Sequence, residues 1–401
     1  MAGSPLDVLT DIAKTTSPAF LSSETAFVNE ARKRTYVLPR FMSGKDMSDM
    51  VQGGETIRDD IFLDVQSSYE HYHPNAPFTY SNPQLLTQWQ VPWRFTKAEA
   101  VYTAQELGIN QGQMNQTARA LRFKKVLNGK MLNLFTDYCN GMEDDFWAQP
   151  DYSEMEAAGG KTPQSLACFV HEFNVSGGVA GRPRDKDGAT YTTVQNIDPS
   201  TETKWGNLVE NYTSDAANTT PTDIQETTLS LFRAMTKQYR KLKFSTLPKG
   251  QEYSDPGTSP NFMCASNNGL ALYEDGLRVN QDTFVFVGRQ DPSFMGPTFR
   301  GMPIVYIDTL DAAALYDDGS SGLATEAAAN NSGPRFYMLN GQYICKVWHS
   351  DRYFHREDPI RPSGQPFTRI QLLDCWHNNV CRSRRRHGLI VPSNDVPNYN
   401  S

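Results

Sequence analysis

Two alternating segments flanking a polar loop, followed by one long helical pattern, occupy the stretch from Ile57 to Trp147, and this order restricts the fold more than any other feature of the chain. Ile57, Ile61, Leu63 and Val65 fall on alternate positions of the first segment; Trp89, Val91, Trp93 and Phe95 do so on the second. A period of two puts these side chains on one face of each strand, so the pair predicts a long β-ribbon with an apolar face. A two-stranded ribbon is marginal by itself in water, and an uncovered apolar face is a contact surface in waiting. The expected cover is a neighbouring subunit. The connecting segment, Ser67 to Leu86, is rich in Tyr, His, Pro and Asn, including Tyr72, His73 and Pro74. A loop of about twenty residues is uncommon unless it has a function. Aromatic residues among short polar ones suit contact surfaces, so the tip is expected to touch another chain.

From Gln113 to Trp147 apolar residues recur at spacings of three and four: Met114, Ala118, Leu121, Leu132, Phe135, Cys139 and Met142 form one stripe, Phe123, Leu127, Met131, Leu134 and Tyr138 a second. The spacing predicts a helix with a wide buried face. At about 1.5 Å per residue it would run about 50 Å. Pro150 closes it, and Gly129 and Gly141 are points where it could bend. A second helix is expected from Asp223 to about Lys243, with Thr220 as N-cap, Pro221 at the first position and a basic far face of Arg233, Lys237, Arg240, Lys241 and Lys243.

Strands are expected at Leu166 to Val175, Ala189 to Ile197, Thr283 to Gly288, Gly301 to Ile307, Arg335 to Met338 and Tyr343 to Trp348, with a short helix around Asn268 to Tyr273 and a Gly/Ser/Ala-rich loop from Asp317 to Asn331. Phe367 to Trp376 and His387 to Val391 read as a closing strand pair with Asn378 and Asn379 at the bend. The alternation gives an α+β class. Residues before the ribbon carry only short apolar clusters broken by Pro5, Pro18 and Pro39, which predicts an extended arm.

With 401 residues, 38% hydrophobic and 21% charged, the chain can build two or three domains with substantial cores. No run of about 18 apolar residues occurs, and the first twenty residues lack the pattern of a secretory signal, so a cytosolic protein without a membrane is expected. Six cysteines without CxxC spacing favour free thiols. The net charge of −7 argues against a protein whose main task is gripping nucleic acid. Two basic clusters stand out: Arg32, Lys33, Arg34 and Arg40, and Arg382, Arg384, Arg385 and Arg386. Each is read as a solvated face or an ion-pair site between subunits, with contact to a polynucleotide backbone as the alternative.

No catalytic pattern emerges. The seven histidines show no HExxH spacing, and phosphate-loop, dinucleotide-binding and nucleophile-elbow motifs are absent. Carboxylate pairs such as Asp59-Asp60 and Asp144-Asp145 are adjacent in sequence, which does not make an opposed acid and base. No enzyme, no cofactor and no metal are expected.

The order of arm, ribbon, long helix, mixed α+β block and closing strands resembles the major capsid proteins of tailed bacteriophages, whose Hong Kong 97-type fold is shared with encapsulins. Phe299-Arg300-Gly301-Met302-Pro303-Ile304-Val305 is similar to a strand of that family's axial domain, and Arg384-Arg385-Arg386-His387-Gly388-Leu389-Ile390-Val391-Pro392 to its last peripheral strand. The resemblance implies an arm at 1–50, an E-loop ribbon at 51–96, a peripheral domain with its spine helix at 97–165 and again at 351–401, and an axial domain at 166–350. It implies a structural protein of the virion, assembled in the host cytoplasm as hexamers and pentamers of an icosahedral head around double-stranded DNA. The further partners implied are a separate scaffolding protein, a portal protein, non-specifically held DNA and a decoration protein. Ile61, Leu63, Tyr72, Trp89, Trp93 and Phe95 would make the E-loop contacts between subunits. Arg32, Lys33, Arg34, Arg384, Arg385 and Arg386 would make charge contacts to a neighbour or to nucleic acid. The rival readings are an encapsulin-like shell around enzyme cargo, a β-rich tail or adhesin protein, and a hydrolase assembled from distant residues.

Overall fold

Two sheets share one core, and the sequence order shows how they are threaded. The computed structural model describes residues 37–42, 47–63, 71, 73, 86–103, 116–157, 159–185, 189–213, 221–244, 259–279, 297–312, 314–316, 324–325, 334–365 and 367–392. Helix α1 (Val37–Met42) leads to β1 (Ser48–Val51), the ribbon strands β2 (Thr56–Phe62) and β3 (Leu86–Pro92), then β4 (Arg94–Thr103) and the long helix α2 (Gln116–Trp147). There follow α3 (Leu166–Phe169), β5 (Val175–Ser176), β6 (Val179–Ala180), β7 (Leu208–Tyr212), α4 (Pro221–Leu242), β8 (Phe262–Ala265) and α5 (Asn267–Val279). The last third holds β9 (Thr298–Phe299), β10 (Met302–Tyr306), α6 (Asp308–Ala312), β11 (Ala314–Tyr316), β12 (Ala324–Thr325), β13 (Phe336–Leu339), β14 (Ile344–His349), β15 (His355–Arg356), β16 (Thr368–Cys381) and β17 (Gly388–Pro392).

The larger sheet has the order β5-β6-β7-β17-β13-β8-β10-β9. Its central strands are apolar and buried along their whole length, the pattern of strands covered on both faces. Alternate residues feed different cores. Met263, Ala265, Phe336, Met338 and Ile390 meet Leu231, Ala234, Met235 and Leu242 of α4 and Tyr273 of α5. Phe262, Cys264, Tyr337, Leu339, Leu389 and Val391 face the other way, into the core built with α1, α2 and the 166–170 segment. Helix α4 lies close on β17: a Cβ at Gly388 would stand 2.2 Å from Gln238 Nε2, whose amide donates to the Leu208 carbonyl at 2.8 Å, so the glycine is a packing requirement.

In the smaller sheet β16 is central. Its last five residues and their neighbours pair antiparallel with β14, which in turn pairs parallel with β1; β15 continues along the same edge, and β4 runs the length of the other, from Arg94↔His377 to Thr103↔Thr368. Helix α2 packs across one face, with Leu134, Tyr138, Met142 and Phe146 buried at intervals of four, and runs unbroken through Gly129 and Gly141.

Several sequence expectations are corrected. Leu166 to Val175 forms the short helix α3 and the two-residue strand β5 instead of one strand, and Ala189 to Ile197 makes only isolated bridges. β16 passes straight through Asn378 and Asn379, and β17 belongs to the other sheet, so the closing strands are not a pair. The bend is replaced by side-chain anchoring: Asn378 Nδ2 donates to the Pro92 carbonyl at 2.7 Å and its Oδ1 accepts from the Gln164 amide at 2.9 Å. Thr220, the strand at Thr283 to Gly288 and most of the Asp317 to Asn331 loop lie outside the described residues.

Candidate assembly surfaces

The ribbon pairs Thr56↔Pro92 through Phe62↔Leu86. On its inner face Ile57 (5% exposed), Leu63, Trp89 and Val91 are buried inside this one chain, in the core shared by the two sheets. Ile61 packs against the same core. The Gln90 amide donates to the Gln195 carbonyl at 3.0 Å, and Trp93 Nε1 to the Gly54 carbonyl at 2.9 Å, which ties the ribbon down at its base. The expectation that this face needs a neighbour is therefore corrected: the chain's own body covers it. The uncovered apolar groups lie elsewhere, at the outer end, where the cross-strand pair Phe62 and Leu86 is 70% and 46% exposed.

Trp93 and Phe95 do not belong to the second ribbon strand. That strand ends at Pro92, and Trp93 stands outside both ladders before the chain enters β4. One unladdered residue shifts the phase, because successive side chains alternate sides. Trp89, Val91 and Trp93 are buried, then Arg94 and Ala100; Phe95 is turned out to 61% exposure. It packs edge-on against Trp376 at 4.8 Å between ring centroids.

Phe95 opens a second surface. The face of β4 and β16 opposite α2 carries the cross-strand pairs Phe95↔Trp376, Lys97↔Asp374, Glu99↔Leu372 and Val101↔Ile370, and Ile360 bridges to Ile370 from the far side. Val101 and Ile360 are 44% and 50% exposed, so an apolar row crosses β4, β16 and the bridging segment at Ile360 with nothing packed on it among the described residues.

The second basic cluster is mostly interior. Arg384 is fully buried; its guanidinium donates to the carbonyls of Phe169 (2.9 Å), Trp205 (2.9 Å) and Gly181 (3.2 Å) and contacts His171 Nε2 at 2.7 Å. Arg386, 7% exposed, stacks on the Phe244 ring at 3.7 Å, and Arg382 pairs with Asp49 at 2.6 Å. Of the predicted contact residues here only Arg385 is exposed, beside Arg182 and Lys204 on a shallow depression. The assignment of Arg384 and Arg386 to charge contacts outside the chain is thus corrected: a run of arginines does not reveal that distant carbonyls satisfy one of them and aromatic rings receive the other. Arg40 of the first cluster lies over the Phe262 ring at 4.6 Å; Tyr72, Arg32, Lys33 and Arg34 lie outside the described residues.

Arg94, missed by the sequence reading, works the same way. Buried at the start of β4, it donates to Gly160 (2.5 Å), Ala157 (2.8 Å), Met155 (3.0 Å) and Thr162 (3.1 Å), clamping the turn after α2 with four carbonyls. Within that turn burial pushes the Glu156 carboxyl up to about 7, against hydrogen bonds from Asn196 and Gln164. Burial lowers Lys346 to about 8; its ammonium lies over the Phe41 and Trp348 rings, 5.5 and 5.3 Å from their centroids. His171, His377 and His387 are held neutral by burial, His387 down to about 3 with Arg384 and Arg386 adding to the effect. No cluster of three metal-ligating side chains occurs among the described residues. None of the six cysteines forms a disulfide. No helix among the described residues is long and apolar enough to cross a membrane.

No protein-family model matches the chain, and no curated protein matches it. Solved structures do. The cyanophage A-1(L) capsid subunit aligns over 94% of this chain and 98% of its own length at 12% identity, with a TM-score of 0.51. The chain has a mixed α+β phage-capsid fold. The mature capsid of bacteriophage PhiM1 matches over 93% of this chain and 91% of its own at 10% identity and a TM-score of 0.48, and the cyanophage Pam1 capsid over 94% and 98% at 11% and 0.46.

Proposed function

We propose that this chain is the major capsid protein of a tailed phage, a non-enzymatic subunit that assembles with copies of itself into the icosahedral shell around a double-stranded DNA genome. The observation that carries the reading is the capsid fold spanning nearly the whole chain. The surface supports it: one sheet is closed on both faces, the other is left with an apolar row of Val101, Ile370 and Ile360. In this reading the ribbon is the E-loop, α2 the spine helix, the smaller sheet the peripheral domain and the larger sheet with α4 and α5 the axial domain. The Phe62–Leu86 end of one copy reaches the bare sheet face of the next in a hexamer or pentamer. An ordinary interface buries about 1,600 Å², and a closed lattice multiplies each contact. A scaffolding protein, a portal and a decoration protein complete the set of partners this reading calls for.

Electron microscopy of the purified, concentrated protein tests it, alone and with a candidate scaffolding protein from the same genome. Closed icosahedral particles are expected. A trimer or a persistent monomer under both conditions would overturn the reading.

A further inference from the structure

The capsid reading leaves one strongly charged surface without a task. From Thr227 to Leu242 helix α4 contains no acidic residue, while Arg233, Lys237 and Arg240 stand exposed at positions i, i+4 and i+7, which share one helix face. None of the three makes an ion pair among the described residues; the neighbouring Lys241 is the one engaged, by Glu210. The helix dipole explains basic residues only in the last turn, where Arg240 and Lys241 lie. Arg233 and Lys237 lie farther back. A concentration of this kind on a chain of net charge −7 is maintained against self-repulsion.

A second observation points to the same place. The turn between β9 and β10 has two central residues, Arg300 and Gly301, both with positive φ (51° and 83°). Hairpin turns of this type favour Asn-Gly, because an ordinary side chain is strained in the left-handed region. Arginine is a poor choice for the turn, so its side chain supplies the reason. Its guanidinium lies over the rings of Tyr239 and Phe299, 5.4 and 5.8 Å from their centroids, which holds the cation beside the α4 stripe.

We propose that Arg233, Lys237, Arg240 and Arg300 form a phosphate-contact surface for double-stranded DNA. The stripe rises about 10 Å along the helix, and a DNA strand carries one charge per about 3.4 Å of axis, so three cations face about three phosphates. An acidic protein is the less suitable partner. Protein interfaces gather around an apolar core, and no large apolar side chain is exposed between Arg233 and Lys243. DNA interfaces are polar and positive.

The proposal rests on the capsid reading for its choice of DNA, and the test separates the two. Binding of a labelled mixed-sequence duplex to the full chain is followed by fluorescence anisotropy across a salt series. The comparison is the triple variant Arg233→Gln, Lys237→Gln, Arg240→Gln. Losing three contacts should reduce the salt slope by about 2.7, at about 0.9 per phosphate, and weaken low-salt affinity at least about tenfold. Arg300→Asn, which suits the turn better, should remove about 0.9 more without loss of thermal stability. An unchanged slope in the triple variant overturns the contact, as does a loss confined to a polyglutamate probe. If particles form and the slope is unchanged, only this inference falls. If no particles form and the slope drops as expected, the DNA contact stands and the capsid reading falls.

Discussion

The two sheets bury their strands in different ways. In the larger sheet β8, β13 and β17 are buried at every residue, sending odd and even side chains into separate cores. In the smaller sheet β4 and the first half of β16 alternate, buried toward α2 and open on the opposite side. Continuous burial needs cover on both faces, and alternation needs it on one. The first sheet is finished within a single chain. The second carries an apolar row with nothing packed on it among the described residues, and that difference separates what keeps the chain folded from what is left open on its surface.

The sharpest way to break the comparison is to damage the finished side. Arg384→Ala would strand the carbonyls of Phe169, Trp205 and Gly181 without a donor in the interior, at a cost of about 3 kcal/mol or more. Urea denaturation should show a large fall in midpoint; an unchanged midpoint would mean that water replaces the guanidinium. On the open side, Val101→Asp combined with Ile360→Asp should leave the subunit's stability within about 0.5 kcal/mol per site, because both positions are exposed, while particle yield collapses. Intact particles from this variant would show that the bare face is not an assembly surface.

pH sharpens the contrast on a smaller scale. His387 has a folded value of about 3 against an ordinary 6.5, so its contribution is fully present above about 6.5 and is lost as pH falls toward 3. His171 and His377 are lowered by burial and act in the same direction. Glu156 runs the other way: its folded value of about 7 lies above 4.5, so its contribution is present below 4.5 and is lost as pH rises through 7. In Glu156→Gln the decline in urea midpoint on the alkaline side of 4.5 should flatten while the histidine-driven acid limb is retained. A parallel profile would locate the titration elsewhere. The smallest effect is expected at Lys346, a buried ammonium seated on aromatic rings. Lys346→Met should be neutral or raise the unfolding free energy by about 1 kcal/mol, since an apolar side chain of similar length removes the desolvation cost. A marked loss would show that its charge is needed by Asp145 and Glu143 nearby.

Much of this architecture was legible in the residues. The spacing of Leu134 and Tyr138 announced α2, the pattern from Asp223 to about Lys243 announced α4, and the segments Arg335 to Met338 and Tyr343 to Trp348 announced strands. What escaped was the phase shift at Trp93. An extended chain keeps its period of two while changing ladders, so Phe95 reads as a continuation of Trp89 and Val91 and yet points the opposite way. The interior role of Arg384 was hidden for a different reason: its acceptors lie some two hundred residues away, and nothing local distinguishes it from the exposed Arg385. The bare face was equally hidden, because β4 meets β16 across more than 260 residues and a pairing of that range leaves no local pattern.

Both sheets are completed by the last strands of the fold. β16 joins β4 to β14, and β17 sits between β7 and β13, so without residues 368–392 one sheet loses its axis and the other splits in two. Long-range pairing of this sort is slow and comes late. A ribosome must therefore deliver the chain through Pro392 before both layers can close. A product terminated before Thr368 has neither sheet closed and therefore no stable body.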